Sequence, residues 1–568
     1  MSMLATVRHQ TVVNARHAAS FSRLSLPMRR TSVVLAVLFG AACSSTPSRP
    51  DPIPATLPVI TRPGGESAAW WFHAGAATAA RQREGAVPQA RNLILFIGDG
   101  MSIPTLTAAR ILGGQRQGDP GEEFRLSFED FPHTALARTY NTDAQTPDSA
   151  GTMTAMVTGA KTRMGLISSS QITQRGDCAS SQGEALVTLM ELAETAGLAT
   201  GIVTNTRLTH ATPAALYAHA PERNWESDGL IPATQRPHGC IDIARQLIEF
   251  PYGDGIDVAL GGGRAHFLPL EWAARPGAIY VESNTQLSAL DPHKARQVLG
   301  LFAADHLQFD HDRRRDARGE PSLAEMTHAA IDLLKDRPHG YVLMIEGGRI
   351  DHAHHFGNAY RALDDTLALS DAVRVAAERT SPDDTLILVT ADHSHTMQIV
   401  GYPARGNPIL GLVRGSGGEG VMSSEPARDA LGQTFTTLNY INGPGYAGAT
   451  SQQPEGAKQH PHVIAGVQAA MRADLSGVDT TAPDFLQPSL YPLADETHGG
   501  DDVAVFARGP GAAAVRGSLE QNVLFHLMAQ AQPRLRATLC SAGACDTDGT
   551  PFRLPSHEAL NKPGESSH

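Results

Sequence analysis

No basic stripe runs through this chain, whose 568 residues carry a formal net charge of -12. A protein that tracks a nucleic-acid backbone needs such stripes, so a nucleic-acid scaffold role is excluded. Any phosphate-bearing ligand must instead be held by local metals and arginine. There is no internal repeat, which excludes solenoids and propellers. No Ser-His-Asp arrangement is evident either, so an active serine would need another activator. What is present is ordinary globular composition, 41% hydrophobic and 18% charged. That composition supports a large core in one domain with insertions, or in two domains.

The chain also lacks a run of about 20 apolar residues of the kind that spans a bilayer. Its apolar stretch from Val33 to Ala42 is shorter, follows Met28-Arg29-Arg30 and ends in Gly40-Ala41-Ala42-Cys43. A basic start, a short apolar core and small residues before a cysteine fit a lipoprotein-type export signal, with an ordinary secretory signal as the alternative. Gly40 stands where lipoprotein signals usually have leucine. The reading is an exported protein, periplasmic or at the outer surface, with a lipid anchor at Cys43.

Cysteine is scarce, five in all. With Cys43 set aside, Cys178, Cys240, Cys540 and Cys545 remain, an even number that reads as disulfides in an exported chain. The close Cys540 and Cys545 suggest a small staple, which leaves Cys178 for Cys240.

Residues 1–43 are thus the signal segment. The Ser-, Pro- and Thr-rich 44–66 form a flexible tether, and 67–545 hold the catalytic domain. A Gly- and Pro-rich surface insertion is expected at about 401–450, and 546–568 read as a loose tail. Within the domain, Ala68 to Glu84 reads as a helix with an adhesive aromatic end. Apolar runs of strand length follow at Leu93–Ile97, Gly201–Thr204, Ile256–Leu260, Tyr341–Ile345, Leu386–Thr390 and Val503–Ala507. They alternate with helical stretches such as Glu184–Ala196 and Ala359–Glu378. Continuous apolar strands separated by helices predict an α/β fold with a mostly parallel sheet covered on both faces. Such sheets bind ligands beyond the carboxyl ends of their strands.

Six patches carry ligand chemistry, and three of them sit at those ends. Asp99 follows a strand between two glycines, Glu346 ends another strand, and Asp392-His393 follow a third. Taken alone, Asp99 reads equally as a turn aspartate, and Asp148-Ser149-Ala150-Gly151-Thr152 reads better as an ordinary helix N-cap. Ser149 at a helix start would nonetheless gain from amides and a dipole that favour phosphate. Asp351 and His355, four apart, face the same way on a helical turn as metal ligands require. His352 and His354 beside them are compatible with a chance histidine cluster. His395 is a spare next to Asp392-His393, and Thr497-His498 is weak by itself. Arg223 offers a planar fork for two phosphate oxygens, where lysine would offer a point charge.

The ordered set, from Gly98-Asp99-Gly100 through His210-Ala211-Thr212 to Thr497-His498, resembles the alkaline phosphatases over roughly Ala68 to Cys545. The resemblance implies phosphate-monoester hydrolysis through a phosphoserine on Ser149. It further implies two zinc ions and one magnesium ion. One zinc would take Asp351, His355 and His498, and the other Asp99, Asp392 and His393. Magnesium would take Asp99, Thr212 and Glu346. Arg223 would be the phosphate-binding arginine, and His210 would border the substrate site, matching the histidine that animal-type members carry near the magnesium waters. The family also implies a homodimer, for which Ala68–Glu84 resembles the N-terminal arm. A fourth, calcium-type site of animal members is not expected, because Ala303 follows Phe302 where a glutamate would stand and Glu320 alone would not restore it. Rival readings are a phosphodiesterase or sulfatase of the same superfamily, and a metal-binding surface lipoprotein without catalysis.

Overall fold

Runs such as Leu93-Ile94-Leu95-Phe96-Ile97 have no polar face to offer water, and a sheet covered on both sides asks for none. The computed structural model describes residues 66–561 except 84, 86, 268–276, 317–318, 418–420 and 469. The signal segment, Cys43 and all but the last residue of the tether lie outside the described residues. Ten described strands form one sheet: β1 (Asn92–Gly98), β2 (His133–Arg138), β3 (Ala199–Arg207), β4 (Val258–Gly262), β5 (Ala278–Val281), β6 (Gln297–Leu301), β7 (Tyr341–Gly347), β8 (Thr385–Ala391), β9 (Val503–Arg508) and β10 (Gly517–Glu520). Their order is β10-β2-β9-β8-β1-β7-β3-β4-β6-β5. All neighbours are parallel except β9, which runs antiparallel to both β2 and β8. β1, β7 and β8 are buried at every position, whereas β9 alternates buried and half-buried residues.

Helices flank the sheet: α1 (Ala68–Gln82), α2 (Ile103–Arg116), α3 (Ser149–Thr158), α4 (Leu323–Leu334), α5 (Arg349–His355) and α6 (Ala359–Arg379). α6 lies so close to β1 that a Cβ at Gly98 would meet Leu369 at 2.9 Å. The aromatic end of α1 packs on its own chain: Phe72 is fully buried, its ring 5.7 Å from Phe525. The helix expected over Glu184–Ala196 is shorter, Leu189–Thr195, because Thr188 and Glu191 close a capping box that fixes its start.

Among the described residues of 401–450 there is one regular strand, Leu438–Gly443, and otherwise turns and bridges. Disulfides join Cys178 to Cys240 and Cys540 to Cys545. The expected loose tail is corrected over its described part: Phe552 and Leu560 are buried, and the last described helix, His557–Leu560, reaches Glu191. Its few apolar residues are spaced too widely to show a period in the sequence, yet each fills a gap against the domain.

Candidate active site

Three strands end level. Register pairs Ile97 with Glu346 and Gly98 with both Gly347 and Ala391, so Asp99, Glu346 and Asp392 emerge along one edge. Asp99 turns away from β1 through Gly100, whose φ is +69° and where a Cβ would strike the His395 ring at 2.4 Å. The glycine is there for both reasons, backbone and space.

Ser149 opens α3, and Asp148 caps it by accepting from the Gly151 amide at 3.1 Å. Ser149 Oγ lies 3.4 Å from each Asp99 oxygen and 3.1 Å from His393 Nε2. His393 Nε2 is 3.2 Å from Asp99 and 3.4 Å from Asp392. Thr212 donates to Asp99 at 3.3 Å. Beyond it, one Glu346 oxygen accepts from Thr204 and Thr206, while the other is buried with no hydrogen-bond partner among the described residues.

On the other side, α5 presents Asp351 and His355 together as their spacing predicts, 3.3 Å apart, and His498 Nε2 is also 3.3 Å from Asp351. His355 and His498 point their Nε2 atoms at each other across 3.1 Å, while each Nδ1 meets a backbone carbonyl. A carbonyl only accepts, so each Nδ1 keeps its hydrogen and the two Nε2 lone pairs converge with a carboxylate oxygen. A cation between them satisfies all three at once. The donor set therefore fits a metal.

Charge tells the same story. Asp99, Glu346, Asp351 and Asp392 are all at most 4% exposed. Burial, and then the charges of Asp392, Asp351 and Glu346, push the Asp99 carboxyl far above the usual carboxylate range. Burial likewise lifts Glu346 to about 7. So many carboxylates stay ionised in one dry pocket only when cations are bound there. Asp99, Asp351 and His393 form one potential metal-holding group, and Asp99, His210 and Glu346 another; Asp351, His355, His395 and His498 form a third.

Arg223 reaches this pocket from the segment after Thr212. Its Nη1 donates to Asp148 at 3.0 Å and its Nη2 faces His210 Nε2 at 3.3 Å. Against the upward push of burial, Arg223 and the Gly165 and Gly151 amides hold the Asp148 carboxyl below its ordinary range. Burial and Arg223 keep His210 neutral.

The structure thus gathers all eleven expected residues. Sequence reasoning passed over others. His395, read as a spare, is fully buried, 2.7 Å from Asp351 and bonded to Glu496 on its other nitrogen. Asp148 was seen as a cap and not as the holder of Arg223. Glu496, two residues before His498, carried a signal only in hindsight of that spacing. His354 turns away, to Thr105 and Tyr440.

A parallel sheet whose strand ends surround a helix-capped serine with carboxylates, imidazoles and an arginine defines a metal-dependent phosphotransfer hydrolase. The chain belongs to the alkaline phosphatase family: the model of the family "Alkaline phosphatase" matches residues 90–533. It is 41% identical to the tissue-nonspecific alkaline phosphatase of Gallus gallus over 472 residues, 78% of this chain and 84% of that one. It is 40% identical to an alkaline phosphatase of Gadus morhua over 472 residues, 78% and 92% of the two chains. Among solved structures, the alkaline phosphatase of Thermus thermophilus matches with a TM-score of 0.54 and 26% identity, over 79% of this chain and 94% of that one. The protein is a metal-dependent phosphatase that hydrolyses phosphate monoesters.

Proposed function

We propose that hydrolysis runs through a phosphoserine on Ser149, and the observation that carries this reading is the Ser149 hydroxyl set at a helix start among Asp99, His393 and, through Asp148, Arg223. The substrate phosphate rests against the α3 amides, and Arg223 grips two of its oxygens. His210, neutral and beside the guanidinium, borders the same phosphate. Ser149 Oγ loses its proton to solvent and attacks phosphorus; the ester oxygen leaves with the bond electrons and takes a proton back from solvent to become the alcohol. Water then attacks the phosphoserine from the side the alcohol left, releasing inorganic phosphate and returning the hydroxyl. The rigid setting of Asp148, tied to two backbone amides, keeps the arginine aligned through both steps.

One zinc ion at Asp351, His355 and His498, a second at Asp99, Asp392 and His393, and magnesium at Asp99, Thr212 and Glu346 match the donors: nitrogen with carboxylate suits zinc, all-oxygen suits magnesium. Metals bound there supply neutralisation of phosphate charge, a lowered pKa for the attacking oxygen and stabilisation of the leaving one. His395 and Glu496 act behind them by orienting Asp351.

The proposal extends to context: an exported protein with Cys43 lipidated or a simple secretory cleavage, and a homodimer. The two disulfides agree with an oxidising compartment. Turnover of a monoester, a diester and a sulfate ester, with zinc and magnesium counted per chain, tests the site reading. Strong preference for the monoester with two zinc and one magnesium supports it, and comparable turnover of the diester or sulfate ester would overturn it.

A further inference from the structure

Away from the sheet edge, Glu191, His219 and His557 bring a carboxylate and two imidazole nitrogens within 4.8 Å of one another. They come from separate parts of the chain. Glu191 lies in the helix Leu189–Thr195, His219 in the segment leading to Arg223, and His557 in the last described helix, past residue 533 where the family match ends. The Glu191 side chain is 3% exposed, and its two oxygens lie 2.9 Å from His219 Nε2 and 3.0 Å from His557 Nε2. The Thr188 amide anchors the carboxylate at 2.8 Å.

His219 decides what the cluster is for. Its Nδ1 is 2.9 Å from the Ser168 carbonyl, which only accepts, so in the neutral ring Nδ1 holds the hydrogen and Nε2 turns its lone pair to a carboxylate. In the neutral ring two acceptors would be in contact; against the downward push of burial Glu191 raises the His219 pKa, so the pair takes up either a proton or a metal cation. A carbonyl that fixes the far nitrogen is the usual way a metal-binding histidine is oriented. The three groups open on a cavity of about 320 Å³ lined also by Tyr217, Ile241, Pro251 and Tyr252, roomy enough for water as a fourth ligand.

We propose that Glu191, His219 and His557 form a zinc-type metal site separate from the catalytic cluster, whose ion clasps the C-terminal helix to the segment that delivers Arg223. Two histidines, one carboxylate and a water are a donor set zinc accepts. Tetrahedral bonds of about 2.0–2.1 Å separate ligands by roughly 3.3 Å; the two imidazole nitrogens, now 2.9 Å and 3.0 Å from different Glu191 oxygens and within 4.8 Å of one another, shift to share one ion.

The test uses the full-length protein and His557→Gln, which keeps a hydrogen-bond donor for Glu191 but ligates poorly. After equilibration with zinc and removal of excess, wild type should hold one zinc per chain more than His557→Gln, with equal magnesium and equal monoester turnover. Because only the difference is read, it is independent of how many ions the catalytic cluster takes. Added zinc should raise the Tm of metal-depleted wild type more than that of the variant. Equal zinc content and equal zinc response of Tm would overturn the proposal and leave Glu191 as the partner of two charged imidazoles. His557→Ala, read in the same way, provides a second variant should the glutamine disturb the fold.

Discussion

Replacing Arg223 with lysine keeps the positive charge and removes the fork. The guanidinium now spends Nη1 on Asp148 at 3.0 Å and aims Nη2 past His210 at 3.3 Å, a geometry that one ammonium cannot copy, since it is shorter and offers no second parallel donor. Losing one charge-assisted hydrogen bond to phosphate costs about 1.5–3 kcal/mol, which at about 1.4 kcal/mol per decade is roughly 10- to 150-fold in affinity. The inhibition constant of inorganic phosphate should therefore rise by that factor in Arg223→Lys. Zinc and magnesium contents should not change, because Arg223 touches no proposed metal ligand except through His210. Competitive inhibition of monoester turnover by phosphate, measured beside metal analysis, reads both. An inhibition constant within about threefold of wild type, less than a single weak hydrogen bond, would remove Arg223 from the phosphate site.

Asp99→Ala should lose metal of both kinds, since its two oxygens face Ser149, His393 and Thr212 at once; a full complement of zinc and magnesium in the variant would contradict its place between them. The disulfides should differ in worth. Chain entropy gives about 4 kcal/mol for Cys178–Cys240 and about 2 kcal/mol for Cys540–Cys545, because they close loops of 62 and 5 residues; serine double variants compared by denaturant unfolding should show that ranking, and the reverse would refute it. Glu194 is lifted by burial from 4.5 to about 9 while Thr200 donates to it. The folded state then holds a proton that the unfolded state has lost, so this stability is fully present below 4.5 and gone once pH passes through 9. Glu194→Gln, which fixes the neutral form, should raise Tm over wild type above pH 9 and not below 4.5; a pH-independent difference would refute the assignment.

The parallel core and the site were legible because both rest on local signals. Leu93–Ile97 and Leu386–Thr390 read as continuous strand-length runs, and each is followed two residues later by its carboxylate. Val503–Ala507 was visible as a strand but not as an antiparallel one, since direction depends on the connection and not on the run. β2, with only Ala135 and Ala137 buried, and the short β5 and β10 carry too few apolar residues to stand out. The tail was misread because Phe552 and Leu560 bury themselves without any periodic neighbour. In the site, residues with ligand-type side chains at strand ends declared themselves, whereas His395 and Asp148 act by orienting others. Their importance lies in contacts 44 and 75 residues away in sequence, which no spacing reveals.

The account stands on Ser149 as the group that carries the phosphoryl between substrate and water. Acid quenching of the enzyme during monoester turnover, followed by mass spectrometry of the peptide spanning Asp148 to Thr158, measures this directly. The account predicts one phosphoryl group on Ser149 in wild type, and no labelled peptide and almost no turnover in Ser149→Ala with its metals retained. Turnover by Ser149→Ala close to wild type, or a phosphoryl group trapped on another residue, would contradict it.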